Sequence, residues 1–62
     1  MNAEDIAGSN YYTAIDQQHN YSSLDEALAV YEENAADTAV EQGIPTENVT
    51  ALFWRFVKGE LK

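Results

Sequence analysis

The chain has 62 residues, no cysteine, one histidine and a formal net charge of −8. That length holds one domain, and without cysteine neither a disulfide nor a Cys/His zinc cluster can staple it. No segment nears the ~20 apolar residues that span a bilayer, and "MNAEDIAGSN" lacks the cationic start and apolar run of a signal peptide, so the expected compartment is the cytoplasm.

The charge is lopsided. Ten carboxylates and not one lysine or arginine lie in residues 1–54, and all three cations (Arg55, Lys58, Lys62) follow. Such a surface is repelled by nucleic acid and by anionic lipid and attracted to basic protein surfaces. Apolar residues make up 45% of the chain and seven are aromatic, enough to build a core rather than a disordered tail. A domain this short buries only ~60% of its unfolded surface, so two or three packed helices, or a dimer sharing a core, are the economical solutions.

In residues 1–22 the signals are weakest. Ser9 is placed to cap a short helix from Asn10 to about His19, with Tyr11 or Tyr12, Ile15 and His19 on one face. Gly8, Ser9, Asn20, Ser22 and Ser23 read as loop. A strand through "NYYTAI" is the other reading, but it has no partner strand in the chain.

A helix over 24–42 follows. Ser23 with Glu26 three residues on forms a capping box, and Asp25 adds a favourable charge in the first turn. Leu24, Ala27, Leu28, Tyr31, Ala35, Thr38 and Ala39 share one face, and Gly43 supplies the stop. Asn34 or Asp37 could instead cap a second, shorter helix within "EENAAD", so one helix or two remains open at this point.

The last helix is predicted over 46–60. Val49, Leu52, Phe53, Phe56 and Val57 form one apolar stripe at a 3.6 period. Pro45 ends what precedes it, and Thr46 offers a capping hydroxyl. Glu47 sits at the positive end of the helix dipole, Arg55, Lys58 and Lys62 lie toward its negative end, and Gly59 frays the C-terminus.

The whole therefore reads as an all-α domain whose last two helices form a hairpin, with self-association into a dimer as a natural consequence of its size. In "TAVEQGIPTENVTALFWRF", Ala39, Gly43, Val49 and Leu52 fall at the spacing of a helix-turn-helix unit, with Ile44 as the apolar turn residue. The stretch resembles that motif, although Thr38 and Gln42 stand where buried aliphatics are usual. The resemblance implies a DNA-reading second helix with Arg55, Lys58 and Lys62 on phosphates. Electrostatics points the other way, since phosphate affinity comes from Lys and Arg and this helix opens with Glu47.

Two further features ask for a partner. Glu26, Glu33, Asp37 and Glu41 lie along one side of the second helix, roughly opposite Leu24, Leu28 and Tyr31. Glu33, Asp37 and Glu41 are successive i, i+4 neighbours, and like charges at that spacing destabilise a helix by ~0.2–0.5 kcal/mol per pair. Ordinary soluble helices mix both signs; this one has no cation. A row of carboxylates has the charge of a run of phosphates, a character shared by small inhibitors that imitate DNA. The expected function is thus a regulator or inhibitor that binds a basic protein surface, such as that of a nucleic-acid-binding protein. The second feature is Trp54, at the margin of the last apolar stripe. With Tyr31 and Leu61 it would anchor a dimer or dock an assembly subunit into a larger complex.

Catalytic chemistry has no footing in these residue types. Asp16 and His19 are two ligands at most and do not define a metal site. Gly8, Gly43 and Gly59 are isolated and form no phosphate loop. No enzyme, metal or cofactor is expected.

Overall fold

A computed structural model describes residues 1–62. The chain forms three helices, α1 (Ala3–Gln17), α2 (Leu24–Gln42) and α3 (Thr46–Val57), and no strand; a single 3₁₀ turn (Gln18–Asn20) follows α1.

The N-terminal third is more ordered than its sequence suggests. The cap of α1 is Asn2, whose side-chain oxygen accepts from the Asp5 N–H at 2.8 Å, and Glu4 and Asp5 stand in the first turn, where the helix dipole favours them. Ser9 is therefore not a cap. It lies inside the helix, exposed, with its carbonyl accepting from the Thr13 hydroxyl at 2.8 Å. Gly8, expected in a loop, is a buried helical residue. The helix tolerates it because the Phe56 ring occupies the space: a Cβ built on Gly8 would lie 2.9 Å from Phe56 Cζ.

One continuous helix spans 24–42. Its N-cap is Ser23, which accepts from the Glu26 N–H at 3.1 Å. The Glu26 carboxylate reaches back past it to Ser22, accepting from the N–H at 3.2 Å and from the hydroxyl at 2.8 Å. The capping box thus closes one residue further out than "S-x-x-E" implies. No break occurs at "EENAAD": the helix runs through it without a cap at Asn34 or Asp37, and the Asn34 amide crosses to another helix, its Nδ2 donating to Asn10 Oδ1 at 2.6 Å. Gly43 ends α2 at φ 72°, its N–H donating to Val40 and the Ile44 N–H to Ala39. That pair of bonds satisfies the last carbonyls and needs a left-handed residue between them.

Thr46 is the first helical residue of α3 rather than its cap. Pro45 holds the cap position in extended geometry (φ −56°, ψ 127°) without a side-chain bond. The helix ends at Val57, three residues short of the predicted 60, because Gly59 (φ 80°) closes the same kind of terminal motif. There Gly59 N–H donates to Phe56 and Glu60 N–H to Arg55.

Ten residues form the buried apolar core: Ile6, Ala7, Ala14, Ala27, Leu28, Ala35, Ala39, Val49, Phe53 and Phe56. Half are alanines, which let the three helices approach closely, so most of the side-chain volume comes from Phe53 and Phe56 of α3 together with Ile6, Leu28 and Val49. Tyr11 stacks on Phe56 (centroids 5.8 Å, 23° between planes) and meets Phe53 edge-on. Asn10 is the one buried polar residue; besides accepting from Asn34 it donates to the Ile6 carbonyl at 2.9 Å, so no buried side-chain polar atom lacks a partner. The Cα radius of gyration, 10.7 Å, is that of a compact folded chain of this length (~10.6 Å). The core closes within one chain.

Candidate functional site: the outer face of α2

The inner face of α2 is fixed by Ala27, Leu28, Ala35 and Ala39, all buried. At 100° per residue the opposite side carries Glu26, Glu33 and Asp37, with Val30 and Val40 flanking them and Ala29 and Glu41 at the edges. All seven are exposed. The predicted carboxylates therefore do share a solvent-facing ridge, though they are not equivalent. Glu26 is tied to Ser22 at the helix start. Glu33, Asp37 and Glu41 make no side-chain hydrogen bond and no ion pair.

Nothing within the molecule neutralises them. Its single salt bridge joins Arg55 Nε to Glu60 Oε1 at 3.3 Å, both groups half exposed, while Lys58 and Lys62 are exposed and unpaired. The last turn of α2 holds no basic residue. Glu41 thus lies at the negative end of the helix dipole, where a carboxylate is unfavourable. The ridge is maintained against both its own repulsion and the dipole.

Sequence reasoning missed two features. Glu32 is half buried and accepts from the Trp54 indole N–H, joining α2 to α3; Trp54 is 39% exposed and packs edge-on to Phe53. Val30 and Val40, exposed at 39% and 67%, stand within the acidic ridge. Their positions were available from the helical period, but attention to charge alone passes over them.

Of the residues expected at a dimer or docking interface, Tyr31 is half buried edge-on against Tyr21 (6.1 Å) and Leu61 packs half buried on the core. Trp54 remains as the exposed member. Hydrogen bonding to Tyr31, burial and the nearby Tyr31 and Glu26 charges raise the Tyr21 hydroxyl pKa above its ordinary 10. Asp16 and His19 are exposed, on α1 and the 3₁₀ turn respectively, and no three metal-ligating groups cluster anywhere.

In the hairpin α2–turn–α3 the residues at helix-turn-helix spacing are turned inward: Ala39 and Val49 are buried, Gly43 is left-handed and Leu52 is half buried. The outward face of α3 shows Glu47, Asn48, Ala51, Trp54 and Arg55, with Lys58 exposed at its C-cap. No helix is long and apolar enough to cross a membrane. The chain matches no protein-family model, no curated protein and no solved structure.

Proposed function

We propose that this protein is a small non-enzymatic regulator or inhibitor that engages a basic protein surface through the carboxylates of α2. The observation that carries the reading is the unpaired state of Glu33, Asp37 and Glu41, exposed along one continuous helix that holds no lysine or arginine. Fixed spacing on a rod gives such a row directional affinity for a basic groove, including one shaped for phosphates, and long-range steering toward it.

The test is capture of targets from lysate by the tagged protein and by its Glu33→Gln/Asp37→Asn/Glu41→Gln variant, washed at low and then high salt. Capture of a basic protein, released by salt and lost in the variant, supports the reading. Capture unchanged by the substitutions sinks it.

The burial of Ala39 and Val49 and the left-handed Gly43 at the spacing of a helix-turn-helix unit favour a second reading, a dimeric DNA-binding regulator with Arg55, Lys58 and Lys62 on phosphates. It requires gel-shift binding to duplex DNA that falls steeply with salt. Against it stand three cations facing eleven carboxylates in each chain. A target retained through high salt would instead favour docking through Trp54.

A further inference from the structure

The outer face of α2 is not uniformly acidic. Val30, Glu33, Asp37 and Val40 follow one another at intervals of three, four and three residues, the spacing of the inward seam of a paired helix. They form an exposed seam about 15 Å long at 1.5 Å per residue and roughly 80° wide at 100° per residue, with aliphatic side chains at both ends and carboxylates in the two middle positions. Leu28 and Ala35 hold the opposite face of α2 in the core, so the seam faces solvent.

That order of side chains discriminates between occupants. A second copy of the chain laid on this seam places carboxylate on carboxylate in both middle layers: Glu33 on Glu33 and Asp37 on Asp37 if parallel, Glu33 on Asp37 if antiparallel. Burying like charges against each other is strongly unfavourable. A helix with aliphatic residues at its outer seam positions and lysine or arginine between them reverses each term. Its apolar residues cover Val30 and Val40, and its cations meet Glu33 and Asp37.

We propose that the outer face of α2 pairs with a single basic amphipathic helix of its target, and that its two central carboxylates exclude pairing with a second copy. This rests on the proposed function and narrows it, from a basic surface in general to a helix with a stated seam. Val30 and Val40 supply the short-range part of recognition, and the carboxylates choose the partner.

The test uses the full chain, ¹⁵N-labelled, titrated with two synthetic helical peptides of equal charge and composition. One has the seam Leu-Lys-Lys-Leu, and in the other the same residues are scattered around the helix. The expected result is tighter binding of the seamed peptide, with amide shifts centred on residues 30–40. A Val30→Ala/Val40→Ala variant, which keeps α2 helical because alanine is the better helix former, should lose about tenfold in affinity for the seamed peptide and nothing for the scattered one.

Equal affinity for both peptides, unmoved by the alanine variant, would overturn the helix-pairing proposal while leaving attraction to basic surfaces intact. Binding of neither would overturn both. As a second measurement, Glu33→Leu/Asp37→Leu should convert the seam into a self-complementary one, and sedimentation equilibrium should then show a dimer dissociated by Val30→Ala/Val40→Ala. If that variant sediments as the parent chain does, the middle carboxylates do not set partner choice.

Discussion

At the scale of single residues, the fold turns on two small contacts between distant parts of the chain. Gly8 lies under the Phe56 ring, where an added methyl would come within 2.9 Å of Cζ and 3.3–3.4 Å of the two Cε atoms. Phe56 is only 4% exposed, so the ring has nowhere to move. Gly8→Ala therefore sets an overpacking cost of ~1–3 kcal/mol against a helix-propensity gain of ~1 kcal/mol. We expect a net loss of about 1 kcal/mol in urea unfolding. Shortening the ring with Phe56→Leu in the same chain should abolish the penalty, a coupling that a double-mutant cycle reads directly. Asn34 makes the complementary case. It is exposed, and exposed substitutions usually fall within ~0.5 kcal/mol. Yet it is the side-chain donor to Asn10 Oδ1, which is buried. Asn34→Ala should cost about 1 kcal/mol or more, because the Asn10 oxygen is left without its donor. Adding Asn10→Ala should then cost less than the sum of the two single changes.

At the scale of elements, the two ends of α2 were legible from local backbone chemistry, whereas the Asn2 cap and the exact ends of α3, equally local, were missed, the latter by one to three residues, and the course of α1 depended on a tertiary contact. Ser23 and Gly43 bound α2 as read, because a side-chain oxygen ahead of free N–H groups and a glycine past the last turn act whatever surrounds them. The start of α1 was misread because Gly8 looks like a break. What makes it helical is Phe56, far downstream, and Asn2 supplied the cap instead. Likewise Asn34 resembled a cap until its partner on α1 was visible. The carboxylate ridge was legible because helical period alone sets which side chains share a face. The Glu32–Trp54 bond was not, since it depends on how α3 lies against α2. The ridge carries its own prediction. Removing the i, i+4 repulsions and the misplaced charge near the C-terminus of α2 should stabilise the helix, by about 0.2–0.5 kcal/mol for each like pair. Thus Glu33→Gln/Asp37→Asn/Glu41→Gln should unfold at higher urea than the parent and, on the proposed function, lose capture of a basic partner. A variant that loses capture and stability together would mean that these side chains serve the fold.

At the scale of the whole molecule, the same charges set opposite responses to salt. The folded chain measures 31 × 23 × 15 Å, and the Debye length is ~30 Å at 0.01 M ionic strength and ~3 Å at 1 M. At low salt each carboxylate is thus coupled to charges across the entire molecule; at high salt only immediate neighbours interact. With a net charge of −8 and one exposed ion pair, that long-range coupling is dominated by repulsion, which the expanded unfolded chain relieves. Adding sodium chloride should therefore raise the melting temperature. Each kcal/mol regained corresponds to ~4–8 °C in a domain of this size, so a rise of several degrees between 0.01 M and 1 M is expected by calorimetry. On the proposed function, capture of a basic partner through the ridge should weaken over the same range, because screening removes the attraction that steers and holds it. Stability rising while affinity falls would tie both effects to one set of unpaired carboxylates. A melting temperature that fell with salt would mean that favourable charge pairs outweigh the repulsion, and the ridge would then lose its claim to be an unneutralised surface.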